Sequence, residues 1–204
     1  MSLIVFKPNL TPARPIFYLS EEELNRFTQA WLNYYDSKQK KARRKARGQY
    51  FLTFLALRFT GARHGEVLLL RDDRDIDFRN SEITIPTLKQ KRPTARVVPV
   101  PPQLVAEIAR YLAEYPDMKG KVFRLDRFNF RKKFAEIATQ TGLDRKKAHP
   151  HILRHTRAME LLKAGIPITM VQSLLGHASL NSTAMYLRFS NLEARQLLRE
   201  KGLI

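Results

Sequence analysis

The chain has 204 residues, 44% of them apolar, which is enough to bury the core of one domain and too many for a disordered chain. Its 37 Lys and Arg against 19 Asp and Glu leave +18, a self-repulsion that points to a polyanionic partner, nucleic acid first and an anionic membrane surface second. The absence of cysteine excludes disulfides, thiol catalysis and Cys-ligated zinc.

The apolar run before Lys7 is too short for a signal-peptide core, and no stretch reaches the length of a membrane span, so a cytoplasmic, nucleoid-associated location is expected. Residues 1–18, punctuated by Pro8, Pro12 and Pro15, read as an extended lead-in. Ser20 and Glu23 form a capping box that opens an amphipathic helix to about Tyr35. Residues 38–47 (KQKKARRKAR) carry seven cations in ten positions. Such a run is a solvated helix face or loop, or else Lys38, Lys40, Lys41, Arg43, Arg44, Lys45 and Arg47 lie along a phosphate backbone.

The stretch from Tyr50 to Thr60 is apolar enough for a buried helix stopped by Gly61, and a second helix is expected from about His64 to Leu70. Ile83 to Pro86 and Arg96 to Val100 are β-branched and alternating, and predict an antiparallel hairpin. Pro102 opens a helix to about Glu114, and Asp126 caps another to about Thr141, closed by Gly142. A further helix runs from about Ile152 and ends at Gly165. Shorter ones follow near 168–175 and 180–187, and a last one starts at Asn191. The fold class is therefore mainly α with a small antiparallel β-sheet.

Four islands carry chemistry: TGARHGE (60–66), TLKQK (87–91), HPHILRH (149–155) and LLGHASLNSTAMY (174–186). Breaking a phosphodiester without a metal requires a nucleophile, an acid for the leaving group, and fixed cations for the charge that builds on the non-bridging oxygens. No carboxylate cluster of metal-ligand character appears in the sequence. Guanidiniums suit the task, being permanently charged and able to grip two oxygens at once.

Together the islands resemble the tyrosine recombinase (phage integrase) family, whose pattern is an Arg in a TG-x-R-x-x-E turn, a hairpin Lys, an H-x-x-R-H box, an LLGH box and a Tyr nine residues beyond its His. The resemblance runs from Ser20 to the C-terminus. It implies the catalytic-domain fold of that family and a recombinase or integrase that cuts and rejoins double-stranded DNA with neither metal nor ATP. On this reading Tyr186 is the nucleophile that forms a 3′-phosphotyrosine, Arg63 and Arg154 grip the phosphate, and His151 is the base. His177 donates to the phosphate, and a hairpin lysine protonates the departing 5′ oxygen. Lys89 is the choice for that lysine, with Lys91, two residues on and on the same strand face, as the alternative and a DNA contact. Glu66 is read as a supporting carboxylate that orients Arg63, His155 as structural, and Arg157 as a surface charge, with a spare phosphate contact as its alternative.

Two departures stand out. His64 and Arg157 occupy positions where the family commonly has other residue types, and neither is expected to touch the chemical set. The helical domain that usually precedes the catalytic one and closes a clamp on DNA has no counterpart before Ser20, so the sequence is either a fragment of a longer chain or similar to the short, single-domain recombinases that lack the clamp, with 19–204 expected to be the catalytic domain. A helix at about 191–201 is the expected tail, folded back on its own domain or exchanged between protomers of a homo-oligomer, a tetramer on DNA. The competing readings are a DNA-binding regulator that does not cut, and a relaxing enzyme of the type IB topoisomerase kind.

Overall fold

In a computed structural model the described residues are 17–37, 40–88, 94–176, 199 and 202. Helix α1 (Glu21–Asp36) begins at the capping box, where Ser20 Oγ accepts from the Glu23 backbone N–H and the Glu23 carboxylate accepts from that of Ser20. Leu24, Phe27, Trp31 and Tyr35 recur at three- and four-residue spacing, and all four are buried.

Helix α2 (Lys41–Thr60) is one unbroken helix of 20 residues that takes in both the cationic run and the apolar stretch after it. The expected start at Tyr50 is thus corrected by about nine residues, because Ala, Arg and Lys are strong helix formers, and the one weak former in KARRKARGQY, Gly48, sits where a Cβ would run into the Tyr111 ring. Its first turn is solvated, whereas Phe51 to Leu57 is buried on every side. Gly61 ends it in the left-handed region (φ 61°), and a Cβ there would also run into Leu175 and Arg157.

The next helix, α3 (His64–Val67), is four residues long and stops short of the expected Leu70. Downstream acids bend the chain away: the Asp75 carboxylate accepts from the Arg71 backbone N–H, and buried Asp72 accepts from those of Gly120 and Val122. The sheet that follows is antiparallel in the order β1 (Ile76–Asp77), β2 (Glu82–Thr87), β3 (Thr94–Pro99). Strand β1 escaped sequence reading because two residues are too few to show alternation. Across β2 and β3, Ile83 faces Val98 and Ile85 faces Arg96, so Arg96 shares the inner face with Val98.

Helix α4 (Pro102–Glu114) starts at its proline as expected. Helix α5 (Arg127–Gln140) starts at Asp126, whose carboxylate accepts from the Asn129 backbone N–H. Helices α6 (His151–Lys163) and α7 (Ile168–Leu175) complete the described elements. Trp31 stacks on Phe54 with centroids 4.9 Å apart, and Phe27 meets Phe134 edge-on at 5.0 Å. Such ring pairs contribute about 1 kcal/mol each beyond the area they bury, and they lock α1, α2 and α5 together. A smaller cluster of Ala158, Met159, Val171 and Leu175 joins α6 to α7. Among the described residues no helix is long and apolar enough to cross a membrane. The helices expected near 180–187 and 191–201, and the lead-in up to residue 16, lie outside the described residues.

Candidate active site

The left-handed turn at Gly61 carries the chain from α2 into Arg63, the residue that caps α3. Arg63 Nη1 donates to Glu66 Oε1 at 2.9 Å and to the Gly176 carbonyl at 3.1 Å. Glu66 is fully buried. It also accepts from the Arg63 backbone N–H and, at 2.8 Å, from Arg96 Nη2. Burial works to raise the pKa of this carboxyl, but the hydrogen bond from Arg96, the Arg63 N–H and the two guanidiniums outweigh it and leave it below its ordinary value. Glu66 therefore stays ionised and fixes two arginines at once.

Arg96 was missed by sequence reading, although the period-two parity that puts Val98 inside puts Arg96 inside as well. Its Nε donates to the Leu174 carbonyl at 2.8 Å, tying β3 to the end of α7.

Arg154 lies behind this turn on α6 with only 2% of its surface exposed, and its Nη1 donates to the Gly61 carbonyl at 2.9 Å. The family-matched arginines are thereby linked through a three-residue turn. Three residues before the expected helix start at Ile152, His149 enters the same region, and α6 begins at His151 with Pro150 as a cap that offers no side-chain acceptor. Its positive pole faces outward with no acidic residue in the first turn.

His151 is exposed at that pole, with the His155 ring edge-on at 4.7 Å. Desolvation in this corner, then the positive fields of His155, Arg154, His149 and Arg63, lower the His151 pKa to about 4. His155 is lowered to about 4 by desolvation and by its neighbours. Both rings are neutral at physiological pH, so His151 is in the form that can accept a proton. The loop before α6 is held by Lys147, whose ammonium meets both Glu23 carboxylate oxygens at 2.7 Å.

A cleft of about 370 Å³ opens in front of these groups, lined by Arg63, His64, Gly65, Arg127, Arg131, His149, Pro150 and His151. His64 was expected to stay clear of the chemical set; instead it lines this cleft, its ring 4.7 Å from that of Phe130. That packing rotates it inward, because Phe130 anchors α5 in the core. Arg157 is half-buried rather than a surface charge: it lies over Gly61 and pairs with Glu160 at 3.4 Å. Among the described residues no group of three His, Asp or Glu side chains is placed to hold a metal ion.

Of the cationic run, Lys40, Lys41 and Arg43 are exposed, and no ion pair among the described residues holds them. The next three cations are engaged within the chain. Arg44 lies between Asp36 and Glu114 and over the Tyr35 ring, Lys45 pairs with Asp117, and Arg47 donates to Ser37 and to the Tyr34 carbonyl. Lys38, Lys89, Lys91, His177 and Tyr186 lie outside the described residues. Their described neighbours are informative: Leu88, before Lys89, reaches toward Gly65 at the cleft, and Gly176, before His177, holds Arg63.

A model of the phage integrase family matches residues 18–192. Tyrosine recombinase XerA of Pyrococcus furiosus is 31% identical over 162 residues, which cover 75% of this chain and 54% of that protein. Among solved structures, XerA recombinase superposes with a TM-score of 0.71 at 25% identity, over 96% of this chain and 66% of that one. The pre-cleavage complex of XerH site-specific recombinase bound to difH substrate gives 0.69 at 27% identity, over 88% of this chain and 53% of that one. The chain spans about half the length of the curated relatives it matches. The matched span takes in the arginine turn, the α6 histidines and the α7 cap that meet at the cleft, and the chain belongs to the phage integrase family, that of the tyrosine recombinases.

Proposed function

We propose that this chain is the catalytic domain, over residues 19–204, of a site-specific recombinase that cuts and rejoins double-stranded DNA through a 3′-phosphotyrosine on Tyr186. The observation that carries the reading is the cleft, where Arg63 and a neutral His151 sit before the positive pole of α6, with Arg154 buried behind them. A phosphodiester is the anion such a site is built to take.

In the proposed reaction Tyr186 Oη attacks the phosphorus and its proton passes to His151. The P–O5′ bond breaks, and Lys89 delivers a proton to the leaving oxygen, with Lys91 as the alternative donor. A pKa of about 4 makes His151 a weak base in the empty cleft. A bound phosphate adds the opposite charge beside it and strengthens it at the moment of use. Arg63, Arg154 and His177 hold the non-bridging oxygens as charge accumulates. Rejoining is the reverse attack by a 5′ hydroxyl on the tyrosyl ester, which retains the bond energy and needs no ATP. Tetramer formation on DNA, through a tail helix at about 191–201, belongs to the same proposal.

The test uses a nicked duplex bearing a selected target site. The parent chain should yield a covalent protein–DNA adduct stable in detergent, and Tyr186→Phe should bind the duplex yet yield none. An undiminished adduct from that variant removes the assigned nucleophile. Exchange between two sites, compared with relaxation of supercoiled plasmid, separates recombination from topoisomerase action.

A further inference from the structure

The α5 side of the cleft has no role in the chemistry proposed above, yet among the described residues it is the most cationic part of the wall. Arg127 and Arg131 are one helical turn apart on α5, so their side chains leave the helix on the same side. That side flanks the buried Phe130 and Phe134 stripe, which places both guanidiniums at the cleft rim while the helix itself is anchored in the core. Both arginines are exposed, and no ion pair among the described residues engages either one.

Arg127 also occupies the first turn of α5, where a cation opposes the helix dipole. Local stability would favour an acid there. Among the described residues the cleft they complete is lined by three guanidiniums and three imidazoles and by no carboxylate. Behind desolvation in each case, their fields help to hold the His64 ring uncharged, and that of Arg131 does the same for His149, so the charge at the cleft is that of its guanidiniums and an anion is its complement.

We infer that Arg127 and Arg131 form a second phosphate-binding site on the α5 wall of the cleft, taking backbone phosphates of the DNA strand next to the one held by Arg63. This rests on the proposed function for the identity of the ligand, but concerns binding and not the chemical step. The site positions the strand; it does not touch the reacting atoms.

The experiment measures the affinity of the chain for a short duplex of arbitrary sequence as salt is raised. Removing two phosphate contacts with Arg127→Gln and Arg131→Gln should lower the slope of log K against log salt by about 2. A charge-matched variant, Arg79→Gln with Lys119→Gln, alters exposed cations outside the cleft and should leave the slope as it was. An unchanged slope in the α5 variant overturns the site, and so does an equal loss in the charge-matched one. Adduct formation on the nicked duplex is read in parallel. A slope change together with no adduct from the parent chain would overturn the recombinase chemistry and leave the α5 site standing.

Discussion

The Arg96 guanidinium occupies the space that a side chain on Gly176 would need: a Cβ there would sit 2.6 Å from Nη1 and 2.8 Å from Cζ. The same short segment is gripped twice more, since Arg96 Nε takes the Leu174 carbonyl and Arg63 Nη1 takes that of Gly176. Glu66 lies between the two arginines and accepts from both. The residue ahead of His177 is therefore positioned by the same carboxylate that orients Arg63.

Gly176→Ala should consequently be costly on two counts. The backbone there has φ 68°, which strains any residue bearing a Cβ, and the new methyl group displaces Arg96 from its partners. We expect a loss of about 1–3 kcal/mol in urea denaturation, with cleavage impaired beyond what the lost stability explains. Wild-type stability in this variant would mean that the cap relaxes freely and does not hold Arg63.

Glu66→Ala leaves Arg96, nearly buried, without its carboxylate and frees Arg63 to swing. Breaking a buried pair by removing one partner costs about 3–5 kcal/mol. Replacing Arg96 by Met in the same chain should recover part of that loss, because the stranded charge goes with it, while cleavage stays low. Chemical denaturation of the single and double variants checks this. If the double variant is no more stable than Glu66→Ala, the uncompensated guanidinium is not the source of the loss.

The helices were legible wherever a cap or a glycine punctuated them: Ser20 with Glu23, Asp126, Pro102, and Gly61 as a stop. The cationic run was only half legible: a helix face and a loop both stood open, and its continuity with the apolar stretch in α2 did not show, because charge density hides helix propensity when the apolar period is absent. At the site, Arg63, Glu66, His151 and Arg154 could be named because they recur in a spaced pattern. Arg127 and Arg131 could not, since two arginines on an amphipathic helix look like an ordinary solvated face until tertiary packing turns that face into a cleft. His64 was hidden for a related reason: only its packing on Phe130 brings it inward.

The first turns of α2 divide the cationic run into two kinds of residue, and the division can be measured. Lys40, Lys41 and Arg43 are exposed, while Arg44, Lys45 and Arg47 are engaged with α1, α4 and the turn after α4. Neutralising the first three to Gln should lower the salt slope of duplex binding by up to about 3 and leave stability nearly unchanged. Neutralising the second three should instead lower the melting temperature, chiefly through Arg47 and its stacking on Tyr34. A slope unchanged by the first set would remove this face of α2 from the DNA path.

Acid should destabilise the fold well above the carboxylate range, and the histidines set the window. His64, His151 and His155 each have a pKa lowered to about 4, by desolvation first and by surrounding positive charge second. In the unfolded chain an imidazole takes up its proton near 6.5. Between about pH 6.5 and about pH 4 the unfolded state thus binds more protons than the folded one, so stability falls as pH falls through that interval. Glu66, whose carboxyl is held below its ordinary value, adds to the loss only at lower pH. Melting temperature followed by circular dichroism from neutral to mildly acidic buffer should decline steadily, and His155→Gln should decline less. A bound duplex should lessen the decline, because phosphate in the cleft raises the imidazole pKa values and couples binding to proton uptake. A melting temperature that stays level across that interval would mean that these rings take up protons in the folded chain as they do in the unfolded one, and their lowered pKa values would be refuted.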